Sequence, residues 1–235
     1  MDAFADLRNL HKLDLHDNYL TSESMIGRSV PNPEVRRPWR LPKLNTLVLS
    51  RNELTSVNDD IFNQMPAITH LDLRDNDIQF LGDEGFSKLQ RLEYLNISYN
   101  KLEELPPRAF SRLRELRDLD MSYNMLHDLG PGVLSDLRNL RALHLKHNQI
   151  GSFASDSLPE DSNLVYLDMS ENFVKSFAGW PSSARRRLRH LDLCWNEASF
   201  SLIFIPYCNT LRLVGGTASS SGQRSNRKKG VSWRI

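Results

Sequence analysis

The sequence predicts an α/β solenoid: short repeated turns stacked on one continuous core, with a parallel β-sheet along the concave side and a mostly irregular or short-helical convex side. Three observations carry this. An asparagine returns every 24 residues, at Asn52, Asn76, Asn100, Asn124, Asn148, Asn172 and Asn196. Each closes the phrase L-x-x-L-x-L-x-x-N-x-L, as in Leu92, Leu95, Ile97, Asn100 and Leu102; an eighth copy, Leu10, Leu13, Leu15, Asn18 and Leu20, lies 34 residues before the second. Phe4, Phe62, Phe86 and Phe110, then Leu134 and Leu158, stand six residues before the first leucine of a phrase. Self-similarity at a fixed period in the twenties means repeated units that bury their apolar faces only by stacking.

The L-x-L segment alternates apolar and polar residues, the period of a strand with one buried face. In the fourth repeat Leu95 and Ile97 point inward, while Tyr94, Asn96 and Ser98 point out. Strands this short must pair with those of the next repeat. The asparagine follows where the chain turns, and a buried amide there can satisfy backbone groups that the bend leaves unpaired. The asparagines therefore read as a structural ladder. The phenylalanine column, followed three residues later by Leu7, Met65, Leu89, Leu113 and Leu137, fills the space behind the sheet. Ser182 and Arg185 weaken both columns in the seventh repeat, and 181–187 is expected to be irregular.

Along the chain, residues 1–198 form an array of eight repeats with a proline-rich insertion near 21–42. Pro31, Pro33, Pro38 and Pro42 keep that insertion out of a strand ladder, so a loop is expected. Its Arg36, Arg37, Trp39 and Arg40 offer a contact site; the favoured reading is a surface insertion with Trp39 folded back over the first repeat. Residues 199–214 read as a degenerate terminal repeat or cap, with the strand-like Asn209–Leu213. Residues 215–235 read as a disordered basic tail holding Arg224, Arg227, Lys228, Lys229 and Arg234 without an acid.

Net charge is +1, and without those five basic residues the remainder carries −4. That balance lacks the basic footprint of a nucleic-acid binder, so no nucleic-acid partner is expected. No apolar run approaches the ~18 residues of a membrane span, and the start shows no signal peptide. Phosphate-binding glycine loops, nucleophile elbows and metal-binding histidine or cysteine motifs are missing, so no catalytic residue, cofactor or metal is expected. Cys194 and Cys208 are equally compatible with a disulfide and with two thiols.

The outward positions form columns. One reads Asp14, Val48, Asp72, Asn96, Asp120, His144, Asp168 and Asp192; another reads Asp17, Arg51, Asp75, Tyr99, Tyr123, His147, Glu171 and Trp195. Tyrosine is large, fairly rigid and polar at its tip, which suits an interface anchor. Tyr94, Tyr99, Tyr123, His147 and Tyr166 are therefore the expected partner-binding patch on the concave face. Asn96-Ile97-Ser98 is an N-x-S acceptor, and Asn96 is expected to project from the sheet as a glycosylation position if the chain is secreted.

The phrase, followed by Leu105-Pro106-Pro107-Arg108-Ala109-Phe110, resembles the 24-residue typical leucine-rich repeat over about Phe4 to Ala198. It is similar to the repeats of Toll-like receptors, Slit proteins and chaoptin-like adhesion proteins. The resemblance implies a leucine-rich repeat horseshoe. It also implies a non-enzymatic binding module of an extracellular receptor or cell-adhesion protein with a protein or glycan ligand. Such ectodomains usually carry a signal peptide and cysteine-rich caps, which this chain lacks. The favoured expectation is thus a fragment of a longer cell-surface precursor; the alternative is a cytoplasmic interaction scaffold.

Overall fold

The computed structural model describes residues 4, 7–26, 39–153, 157–175 and 186–197, with the two-residue strands at 199–200, 203–204 and 211–212. Eight three-residue strands lie side by side, all parallel: Lys12–Asp14, Thr46–Val48, His70–Asp72, Tyr94–Asn96, Asp118–Asp120, Ala142–His144, Tyr166–Asp168 and His190–Asp192. Their register has no slip: Leu13, Leu47, Leu71, Leu95, Leu119, Leu143, Leu167 and Leu191 pair in one row. The central leucines from Leu47 to Leu167 are fully buried, and a one-residue slip would turn that row to solvent.

The asparagine ladder forms as the sequence implies. Asn100 Nδ2 donates to the carbonyls of Ile97 and Ser98 in its own repeat and to Leu73 in the preceding one, all at 3.1 Å. Its Oδ1 accepts the N–H of Ile78 at 3.0 Å, again from the preceding repeat. The same pattern runs from Asn52 to Asn196. One amide thus closes its own turn and fastens it to the turn before.

Behind the sheet, the rings of Phe62, Phe86 and Phe110 are buried and stack at 6.0 and 6.1 Å, with Leu134 and Leu158 continuing the column. Leu7, expected in the core, is 44% exposed: in the first repeat it has a neighbouring turn on one side only. Trp39 packs edge-on against Phe4 at 4.8 Å and is only 8% exposed, so it belongs to the core and is no contact residue. The insertion does not begin as plain loop. Ser22–Met25 forms a helical turn capped by Thr21, whose side chain accepts from the Ser24 N–H while Ser24 Oγ accepts from the Thr21 N–H. Ser22 Oγ anchors this turn to the second repeat, donating to the Ser56 carbonyl at 2.7 Å. Residues 27–38 lie outside the described residues.

The convex side shows turns and two short parallel pairs, Ser56–Val57 with Phe80–Leu81 and Asp128–Leu129 with Ser152–Phe153. The row is interrupted at Leu105, which Pro106 and Pro107 follow; proline has no N–H to give a ladder. Of 181–187, positions 186 and 187 are helical and the rest lies outside the described residues. At the far edge Leu211–Arg212 pairs with the His190–Asp192 strand, but antiparallel. The eight strands before it pair in parallel, so this last pairing differs in direction from theirs. Cys208 and the whole tail 215–235 lie outside the described residues, and with them the proposed pairing to Cys194.

Candidate functional site

The sheet face presents three distinct rows. The first strand position gives His70, Tyr94, Asp118, Ala142, Tyr166 and His190 in register. The third gives Asp72, Asn96, Asp120, His144, Asp168 and Asp192. The carboxylates of this second row have a structural duty: Asp72, Asp120, Asp168 and Asp192 each accept the backbone N–H two residues on, at 2.9–3.0 Å. Asn96 does the same for Ser98, at 2.9 Å to its N–H and 2.7 Å to its hydroxyl.

Asn96 therefore does not project from the sheet. It is 8% exposed, and its amide nitrogen, which would carry a glycan, donates to the Tyr94 hydroxyl at 3.3 Å. Ser50, Ser98, Ser122 and Ser170, also outward in the alternating pattern, are buried where the chain leaves the strand.

The third row departs furthest from a strand. Asp17, Arg51, Asp75, Tyr99, Tyr123, His147, Glu171 and Trp195 all have φ between 54° and 57°. A left-handed backbone costs a non-glycine residue roughly 1–2 kcal/mol. Hydrogen bonds offset it: the Tyr99 N–H donates to Ser122 at 2.9 Å and the Tyr123 N–H to Lys146 at 2.8 Å. Because every repeat repeats the same turn, these side chains are superimposed and must interact. Arg51 lies between Asp17 at 3.3 Å and Asp75 at 3.6 Å. Tyr99 stacks on Tyr123 at 4.2 Å, and Tyr123 on His147 at 4.8 Å. His147 Nδ1 meets Glu171 at 2.7 Å, and Lys146 Nζ reaches the other Glu171 oxygen at 3.0 Å while lying 5.9 Å from the Tyr123 ring centre. The contacts from His147 and Lys146 hold the Glu171 carboxyl below the usual glutamate range, and Glu171 raises the Lys146 ammonium.

The five nominated partner-binding residues therefore divide. Tyr99, Tyr123 and His147 form one stacked row, with Tyr99 49% exposed. Tyr94 and Tyr166 stand in the first row, separated by Asp118 and Ala142. Tyr94 stacks near His70 at 6.1 Å, and Tyr166 lies between His144 at 4.8 Å and His190 at 5.8 Å. Burial raises both phenols, and nearby aspartates add to the shift. Sequence periodicity also missed a shallow recess lined by Gln79, Phe80, Lys101, Met125, His127 and Asp128, where Phe80 is 66% exposed. The paired repeats carry Ser56, Asp128 and Ser152 at the position of Phe80, so nothing periodic marks this apolar side chain.

Among the described residues, no group of three or more His, Cys, Asp or Glu is placed to hold a metal, and no helix is long and apolar enough to cross a membrane. No curated protein matches the chain. Among solved structures, TLR13 in complex with ssRNA13 is 27% identical with a TM-score of 0.52, covering 68% of this chain and 26% of that one. The Toll–Spatzle complex of Drosophila is 23% identical with a TM-score of 0.63, covering 83% of this chain and 28% of that one, and shows the same fold. The chain thus spans little more than a quarter of either relative. TLR13 is solved with an RNA, which removes the ground for excluding nucleic acid from charge balance alone. The model described as leucine rich repeat matches residues 42–102, 71–126, 90–150 and 115–174, together more than half of the 235 residues. Its matches fall on the repeats whose asparagines and leucines build the ladder and core, and the chain belongs to the leucine rich repeat family.

Proposed function

We propose that this chain is the non-enzymatic binding part of an extracellular or cell-surface receptor, and that its sheet face takes a protein partner. The observation that carries this is the stacked row Tyr99–Tyr123–His147 on the rim of a broad, continuous sheet. Aromatic rings held in place by their neighbours lose little side-chain freedom on binding, which favours an interface anchor. The Toll–Spatzle complex supports a protein ligand and a receptor setting. Tyr94 and Tyr166 extend the contact surface across the sheet.

A photo-crosslinking residue placed at His70 on the sheet, or at the exposed Lys88 on the returning side, tests this. Extracellular protein should crosslink from position 70 and not from position 88. Crosslinks only from position 88 would remove the sheet face as the binding surface.

A further inference from the structure

The first and second rows of the sheet, from His70 to Asp192, contain five aspartates and no lysine or arginine. Their centre is the pair Asp118 and Asp120, one on each row of a single strand. Tyr94 is the lateral neighbour of Asp118 on one side; on the other, Ala142 adds only a methyl group, and Tyr166 follows. The two tyrosines are thus three strand spacings apart, about 14 Å. His144 reaches Asp118 with Nε2 at 3.5 Å and faces the Tyr166 ring. The basic residues nearby lie on the rims. Arg117 pairs with Glu93 at 3.1 Å, Lys146 with Glu171 at 3.0 Å, and Arg141 and Arg189 are exposed just before their strands.

Half-burial raises the Asp118 carboxyl above the usual aspartate range, and Asp120 pushes the same way, while His144 opposes them. A carboxylate in that state has lost water without a full replacement. An added cation would restore what burial removed. Asp120 spends one oxygen on the Ser122 N–H at 2.9 Å, and a carboxylate has a second. Tyr94, next to Asp118, and Tyr166, two strands away, add aromatic surface to the same row. An extended chain laid across parallel strands would meet these groups in sequence.

We propose that the sheet face centred on Asp118 and Asp120, flanked by Tyr94 and Tyr166, docks an extended polypeptide segment bearing lysine or arginine. This rests on the sheet-face reading above and adds the chemistry of the partner. Charge complementarity selects that occupant: an acidic, aromatic floor centred on two aspartates of one strand, with the nearby rim cations Arg117 and Lys146 already paired to Glu93 and Glu171. The segment therefore places its basic side chains centrally.

The test uses the full chain and a fluorescent peptide with two central lysines flanked by neutral residues, against its glutamate counterpart and a single-stranded RNA of equal length. The lysine peptide should bind, weaken as salt rises, and lose about tenfold in affinity with Asp118→Asn plus Asp120→Asn. Asparagine keeps an acceptor for the Ser122 N–H, so the fold should survive; Tyr166→Leu, which leaves both carboxylates, should weaken binding several-fold as a second check. Glu115→Gln, an exposed turn residue, should change nothing. Equal loss in Glu115→Gln, no binding of the lysine peptide, or tighter binding of the RNA would each overturn the proposal. Crosslinking from position 70 that persists in the double variant, with no lysine-peptide binding, would overturn the cationic partner and leave the sheet-face reading standing.

Discussion

Tyr99 and Tyr123 lie with their ring centres 4.2 Å apart and their planes within 9° of parallel, although 24 residues separate them. The contact follows from backbone geometry: both residues occupy the same left-handed turn of successive repeats. Their conformation is fixed by the repeat, and their identity is free to serve binding. Replacing both with alanine removes the stack but leaves the turn hydrogen bonds, since those use main-chain atoms. The expected loss is about 0.5–1.5 kcal/mol of stability, read by thermal denaturation, with a clear drop in crosslinking from position 70. Unchanged crosslinking would place the partner elsewhere.

The ladder predicts a graded series. Asn100→Ala leaves the buried Ile78 N–H without its acceptor and takes one of two donors from each of the Leu73, Ile97 and Ser98 carbonyls, and should cost about 1–3 kcal/mol. Asn18→Ala removes contacts only to Leu15 and His16, in an exposed turn, and should cost less. Urea denaturation of the two variants compares them directly. Equal costs would mean that the inter-repeat bonds add nothing.

Much of the fold was legible because the repeat samples one local solution many times. The register of Leu47 through Leu167, the asparagine ladder and the phenylalanine column all follow from period and polarity. What escaped the sequence is conformational. Alternation treats Tyr99 and Ser98 as strand residues, whereas the chain has left the strand there; Ser98 turns in and Tyr99 enters the left-handed region. Spacing likewise placed Tyr94 and Tyr99 in one patch, but the turn puts them on different rows. For Trp39 the sequence offers both a contact site and a fold-back over the first repeat, and the edge-on contact with Phe4 decides for the second.

The middle of the phenylalanine column should be the most sensitive core position. Phe86 is fully buried and has a stacked ring on both sides, at 6.0 and 6.1 Å. Phe86→Ala should cost about 3–5 kcal/mol through lost burial and a residual cavity. Phe4, at the end of the array, is only partly buried, and Phe4→Ala should cost less. Chemical denaturation of both variants checks the order.

Acid should loosen the aromatic row at one end. Glu171 titrates below the usual glutamate range because His147, then Lys146, hydrogen-bonds its ionised form. A folded-state value below the unfolded one stabilises the fold above the usual glutamate range, and that contribution is lost as pH falls through the depressed value. Glu171→Gln should therefore lower the melting temperature near neutral pH and converge with the parent protein as pH falls through the depressed value. A constant difference across the range would show that the ion pair carries no linkage.

Asn96 offers the sharpest conflict between motif and structure. The triplet Asn96-Ile97-Ser98 satisfies the acceptor pattern, but the fold uses all three residues: Ile97 is fully buried, Ser98 donates to Asn96, and Asn96 donates to Tyr94. A glycan on that nitrogen would break the Tyr94 contact and stand on the sheet beside Asp120. Expressed through a secretory route, the protein should show no glycosidase-dependent mass change at this residue. Tyr94→Phe, which removes only the hydroxyl, should leave the mass unchanged, because burial and the Ser98 contacts still hold the side chain. A full-occupancy glycan on the folded parent protein would require Asn96 to swing out, and with it the strand end that the amide now closes.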